Sequence, residues 1–210
     1  MPSSAADRIF RLPRWAALTL LLCACAASPP RTEQESVSAP SIRPENFALE
    51  GRFSFRHEER NYYGRLDWRH AGELDSLLLS SSFGQGMAEM TADGNGARLV
   101  LGNGEIHEAS RVETLTRRLF GYPLSLKQLA GWVAGRVEQG GADADADSLG
   151  RLHRLRHENW IVDYVYENGE AHALPARITA VHAEGNAELR LKIDKWRIVT
   201  RPAVNGSTIP

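Results

Sequence analysis

The chain has 210 residues, of which 42% are hydrophobic and 24% are charged, and its formal net charge at pH 7 is -1. This length and apolar fraction suit one domain with a sizeable core. The chain has no excess of the basic residues that bind a phosphate backbone, so the composition argues against a nucleic-acid binder.

Residues 1–24 have the organisation of a secretory signal peptide. A basic n-region carries three arginines, Arg8, Arg11 and Arg14. The apolar run Trp15–Cys23 that follows is too short to span a bilayer. Leu22-Cys23-Ala24-Cys25 resembles a lipobox, with an aliphatic residue three positions before Cys25 and a small residue directly before it. We therefore predict cleavage before Cys25 and lipidation of Cys25; the alternative is a secreted protein whose cysteines are incidental.

The segment after the predicted cleavage site indicates a flexible, membrane-tethered linker. Residues 25–45 are rich in Pro and Ser and almost free of bulky apolar side chains, so they cannot bury enough surface to fold. Acylation by several chains anchors a protein stably. Ala26, rather than Asp, follows Cys25, which under the sorting rule of enteric-type bacteria indicates the outer membrane.

From Phe47 the sequence changes to the period-2 alternation of half-buried strands. Phe47–Arg56 and Tyr62–Arg69 both alternate and predict a hairpin. Shorter β-compatible runs follow at 74–82, 86–92, 97–101 and 104–109, and Asn-Gly turns at 95–96 and 103–104 separate the last three of them.

Two helices interrupt the predicted sheet. The first spans 111–121 and stops at Gly121, and the second spans 125–134 with Ser125 as its N-cap. We expect a polar loop over 140–147, after which strands resume at Leu149–Glu158, Trp160–Tyr166, Leu174–His182 and Ala187–Trp196. Residues 199–210 are expected to be a disordered tail.

Several stretches, taken in order, resemble the outer-membrane lipoprotein receptor family LolB over residues 47 to about 197. They are Phe47–Arg52, Gly64–Trp68, Leu77–Leu79 with Phe83-Gly84, Phe120–Pro123, Leu129–Gly135, Trp160–Tyr164, Leu174-Pro175 and Leu189–Trp196. The resemblance implies a mainly β domain at 46–198. Its fold would be an unclosed antiparallel β-barrel of LolA/LolB type, a half-barrel whose apolar cavity is covered by a helical lid.

The resemblance also implies a function without covalent chemistry or cofactor. The protein would be a monomeric receptor, anchored in the outer membrane through Cys25 and facing the periplasm. It would accept acylated lipoproteins from a LolA-like periplasmic carrier and insert them into outer-membrane lipid. Exposing an acyl chain of about sixteen carbons to water costs on the order of 12 kcal/mol, so such cargo needs an apolar container.

Residues 80–86 place one large apolar side chain, Phe83, among small turn-forming residues. In the family this loop protrudes and carries an exposed leucine, preceded by proline, that is needed for membrane insertion of the cargo. By resemblance Phe83 and Ser82 occupy those places, followed by Gly84. The alternative is a buried Phe83 that caps the core.

The strand faces and helix stripes also supply candidates for an acyl-chain cavity. These are Phe53, Phe55, Trp68, Leu79, Leu115, Leu119, Trp132, Trp160 and Tyr164. Strand parity identifies a face but does not separate ligand contact from plain core, so core packing is the alternative for each residue.

No motif points to catalysis or to a metal. The sequence lacks a Gly-x-Ser-x-Gly elbow, has no cysteine after Cys25, and scatters its histidines among polar neighbours. We predict no enzyme and no metal site. Two other functions remain as alternatives: a lipid-anchored accessory subunit of an envelope assembly that binds no lipid, and a hydrolase acting on envelope lipid or glycan, which the missing catalytic residues disfavour.

Overall fold

The computed structural model describes residues 43–136 and 143–199. The predicted signal peptide, the predicted lipidation site Cys25, most of the linker and the tail from residue 200 lie outside the described residues. Within them, Pro44 is buried and the Arg43 side chain donates a hydrogen bond to the carbonyl oxygen of Gly135.

In the described residues, two helices separate an earlier group of strands from a later one. The first strands are β1 (Asn46–His57), β2 (Arg60–Ala71), β3 (Leu74–Ser80), β4 (Gly86–Asp93), β5 (Gly96–Leu101) and β6 (Ile106–Ala109). The helices are α1 (Val112–Phe120) and α2 (Leu126–Val133). The later strands are β7 (Asp143–Ala146), β8 (Leu152–His157), β9 (Trp160–Val165), β10 (Arg177–His182) and β11 (Ala187–Ile198).

In the described part of the chain these strands make one eleven-stranded sheet in the order β6-β5-β4-β3-β2-β1-β11-β10-β9-β8-β7. All neighbours are antiparallel, so each half of the chain is a meander, and the halves join where β1 pairs with β11. The edge strands β6 and β7 are connected through the two helices and do not pair with each other. The sheet is therefore an unclosed antiparallel barrel, as the family resemblance implied.

Two glycines allow the sheet to bend sharply near its centre. A Cβ atom on Gly51 would clash with the carbonyl oxygen of Lys192, and one on Gly64 would clash with that of Ser80. The register between β1 and β11 also shifts next to Gly51, as a β-bulge does. Close backbone approach and a bulge are two devices that curl a sheet, so they help to form its concave face.

Both predicted helices are confirmed to within about one residue at each end. Gly121 ends α1 in the left-handed region at φ 77°, which a residue without Cβ adopts easily. The Ser125 side chain caps α2 by accepting the Gln128 N–H. Between the helices, the Thr116 hydroxyl donates to the Leu124 carbonyl at 3.1 Å and accepts its N–H at 2.8 Å, which pins the connection to α1.

The prediction of a loop over 140–147 is wrong for residues 143–146, which form β7 against β8. Alternating aspartates have low strand propensity, but Arg156 on β8 contacts Asp143 at 3.0 Å and Asp145 at 3.1 Å. The cross-strand ion pairs therefore support a strand that has no apolar face of its own.

Candidate functional site

An apolar cavity of about 60 Å³ lies between the concave face of the sheet and the helices. It is lined by aliphatic and aromatic side chains of β1, β2, β3, β4, β11 and both helices, together with Leu124 and the hydroxyl-bearing Thr116. Since the Thr116 hydroxyl is already occupied by the Leu124 backbone, it leaves the wall without a free polar group.

Five of the nine sequence-predicted candidates line this cavity: Phe53, Phe55, Trp68, Leu79 and Leu119. The other four are buried or nearly so away from its wall: Leu115, Trp132, Trp160 and Tyr164. The remaining lining residues were not singled out from the sequence; they are Leu66, Leu77, Ala88, Met90, Thr116, Phe120, Leu124, Leu126, Leu129, Leu189 and Leu191. Strand parity gives the same inward orientation to Leu66 as to Trp68, so the alternation contained the signal for several of them.

The other half of the concave face carries four buried side chains that we call the aromatic layer: Trp132 of α2, Trp160 and Tyr164 on one face of β9, and His182 of β10. The rings of Trp132 and Trp160 are 5.5 Å apart between centroids, and those of Trp160 and His182 are 5.3 Å apart. Tyr164 is 3% exposed on β9, and its burial raises the pKa of the phenol well above the ordinary value. The phenol is therefore neutral at physiological pH.

A buried polar network lies beside Trp68, one of the residues that line the cavity. The Trp68 indole donates to Asp75 at 2.7 Å, and Nδ1 of His70 lies 2.9 Å from the same carboxylate oxygen. Both polar side chains are nearly buried. Because the Trp68 N–H is used here, its ring presents only apolar surface to the cavity.

Phe83 projects from the turn between β3 and β4 and is 96% exposed, so the alternative of a buried Phe83 is wrong. The turn is held by hydrogen bonds from Ser81 N–H to the Gln85 carbonyl at 2.8 Å and from Gly84 N–H to the Ser81 carbonyl at 2.9 Å. Since β1 to β4 are antiparallel, this turn lies at the opposite end of the strands from Asn46, where the chain enters β1.

Residues 43–136 and 143–199 contain neither a membrane-spanning helix nor a cluster of metal ligands. Both helices there are too short and insufficiently apolar to cross a bilayer. The same residues bring together no group of three or more His, Cys, Asp or Glu side chains suited to a metal ion.

The fold and the cavity together define an open half-barrel with a helical lid. The family model described as outer membrane lipoprotein LolB matches residues 45–196. Similar proteins include the outer-membrane lipoproteins LolB of Dechloromonas aromatica, 35% identical over 84% of this chain and 92% of the relative, and of Azoarcus sp., 32% identical over 85% and 91%. A LolA superfamily structure from Nitrosomonas europaea has a TM-score of 0.47 at 11% identity, covering 77% of this chain and 89% of that one. The chain belongs to the LolB family.

Proposed function

We infer that this protein is the outer-membrane receptor that accepts acylated lipoproteins and inserts them into the outer membrane. Membership of the LolB family supports this function, and the structural observation that carries it is the wholly apolar wall of the cavity beneath the helices. An acyl chain transferred to such a wall replaces water by hydrocarbon contacts, which stabilises it by roughly 0.8 kcal/mol per methylene. The accessory-subunit alternative gives no reason for such a cavity.

The helices must move before cargo can enter. An engineered apolar cavity of about 150 Å³ takes a single benzene ring, whereas the present cavity measures about 60 Å³ and has no space for an acyl chain. Besides the exposed hydrogen bond from Gln128 to Glu158 at 3.1 Å, α2 is held mainly by its buried apolar side chains, among them Leu129 and Trp132. Lifting α2 therefore exposes apolar surface, a cost that an acyl chain offsets when it covers the same surface.

Cargo and carrier follow from the same function. We propose a LolA-type carrier as donor and an acylated lipoprotein as cargo, with no catalytic step. If carrier and receptor both bury the chains, the free energy of transfer is the difference of their affinities, so tighter binding by the receptor gives the direction. We also propose that residues 1–24 are removed, that Cys25 carries the acyl anchor, and that residues 46–198 act in the periplasm as a monomer.

We propose that the turn carrying Phe83 delivers the cargo into the bilayer. An exposed aromatic ring on a fixed turn is suited to enter the interfacial region of a membrane. Ser82 and Gly84 flank this ring and keep the tip of the turn small.

The experiment is a transfer assay with lipoprotein-loaded carrier, the chain from Ala26 onward, and liposomes. We expect Phe83→Glu to accept cargo normally and to release it into liposomes at least tenfold more slowly, because a carboxylate resists entering the bilayer. Leu74→Glu is the matched control, since Leu74 is also exposed but lies at the opposite end of the strands. Release by Phe83→Glu at the normal rate would contradict the assignment, and loss of acceptance would instead place Phe83 at the carrier contact.

A further inference from the structure

The aromatic layer contains buried polar atoms that have no hydrogen-bond partner. Within the described residues these include Nε1 of Trp132, the hydroxyl of Tyr164 and Nδ1 of His182. All three side chains are at most 9% exposed. Other residues of the same types are satisfied, because the Trp196 indole donates to the Pro175 carbonyl at 2.9 Å and the Tyr166 hydroxyl donates to the Leu152 carbonyl at 2.8 Å.

An unpaired buried donor is unfavourable, and in native proteins it is uncommon enough to need an explanation. An indole N–H can only donate, so Trp132 requires an acceptor. The closed arrangement of α2 on the sheet provides none. The closed state therefore carries a cost that is removed when an acceptor arrives.

The unpaired donors lie close to the cavity. Tyr164, Ile178, Leu191 and Phe53 form one row across four adjacent strands, and the last two of these line the cavity. With strands about 4.8 Å apart, Tyr164 is roughly 10 Å from the Leu191 wall. On α2, Leu129 lines the cavity while Trp132, one helical turn away, packs in the aromatic layer. Lifting α2 thus joins the layer to the cavity.

We propose that the aromatic layer binds the ester and amide oxygens that join the acyl chains to the cargo's N-terminal cysteine, with Trp132 N–H and Tyr164 O–H as the donors. The inference rests on the proposed function and adds that two parts of the site bind two different parts of the cargo. Acyl tails bind the aliphatic cavity, and their carbonyl groups bind the layer. The chemistry matches, because an ester oxygen only accepts hydrogen bonds and these donors lack an acceptor.

The test compares two probes that differ only in these oxygens: a diacylglyceryl-cysteine peptide with ester-linked palmitoyl chains and its ether-linked analogue. Affinities are measured with the chain from Ala26 onward, whose buried core cluster lies entirely within residues 47–193. We expect the unaltered protein to bind the ester probe about fivefold to tenfold more tightly, the ratio that corresponds to an ordinary hydrogen bond. Tyr164→Phe and Trp132→Phe are each expected to lose most of that preference while still binding the ether probe.

Tyr166→Phe is the matched control, because it removes a hydroxyl two residues away that already has a partner. It should keep the ester preference and unfold more easily, whereas Tyr164→Phe should unfold no more easily than the unaltered protein. Equal binding of both probes by the unaltered protein, or an equal loss for both probes in Tyr164→Phe, would overturn the inference and leave the receptor function standing. Failure of the unaltered protein to bind either probe would instead contradict the receptor function.

Discussion

The two halves of the concave face use the same curled sheet in opposite ways. On the β1 to β4 side, Phe53, Leu66, Leu79 and their neighbours leave a hollow. On the β8 to β10 side, Trp132 and Trp160 fill the corresponding space with rings tilted at 56° to each other. The comparison shows that inward-facing apolar residues are necessary for a cavity but do not create one. The size of the opposing side chains decides whether the space is solid or empty.

The largest expected effect contrasts one leucine from each half. Leu155 is 1% exposed in the solid half, and Leu79 is 7% exposed at the cavity wall. We expect Leu155→Ala to lower the free energy of unfolding by about 4 kcal/mol and Leu79→Ala by about 2 kcal/mol, since a side chain beside a void has fewer packing partners to lose. Urea denaturation measures both values. Equal losses would show that the two halves are packed alike.

Filling the cavity should weaken ligand binding with little loss of stability. Leu79→Trp replaces an aliphatic side chain at the cavity wall with a larger aromatic one. We expect the affinity for a fluorescent fatty acid to fall at least tenfold, about 1.4 kcal/mol. The control is Leu78→Trp, whose side chain is 47% exposed on the outer face of the same strand. Binding that survives in Leu79→Trp would mean that the tails bind elsewhere.

The smallest effect concerns the seam between the halves, where β1 meets β11. Arg56 contacts Glu188 at 2.7 Å, and the hydrogen bonds from Arg56 and then Arg190 hold the pKa of Glu188 below its ordinary value. A depressed carboxyl pKa stabilises the fold above the unfolded-state value of about 4.3, and the contribution disappears as pH falls through the folded-state pKa. We expect Glu188→Gln to cost about 0.5 kcal/mol at pH 7, reduced by solvent screening.

That cost should vanish in acid, below the folded-state pKa of Glu188. Thermal unfolding of both proteins across pH 2.5 to 7, a range chosen to span that titration, measures it. A difference that persists unchanged at the acid end would assign the stabilisation to packing rather than to charge.

Much of this arrangement was predictable from local sequence. Helix caps are local, so Gly121 defined the end of α1 and Ser125 the start of α2 to within about one residue. The strand positions were equally predictable from the alternation of apolar and polar residues. By contrast, β7 depends on ion pairs to Arg156, a residue on another strand, and no local pattern contains that information.

The division between cavity and core was also beyond the sequence. Phe53 and Tyr164 lie on inward faces and even share one row of the sheet, yet only Phe53 lines the hollow. Periodicity shows which side chains face the interior, but it does not show which side chains of other elements lie opposite them.

The position of the Phe83 turn, at the far end of the sheet from Asn46, has a consequence for how the protein stands on its membrane. The twelve residues of β1 extend about 40 Å. Seventeen residues, Ala26 to Ile42, separate the predicted acylation site from Arg43, which is held against Gly135. A chain of that length extends to at most about 60 Å, whereas a random coil of that length spans only about 23 Å. For the Phe83 ring to reach the leaflet that holds the protein's proposed acyl group, the Phe83 end of the sheet must face that leaflet. The segment after Cys25 must then extend along the length of β1 to reach the other end of the sheet. If the ring inserts there as proposed, extension of this segment opposes the contact, and shortening the segment until its extended length falls below about 40 Å would keep the ring off that leaflet.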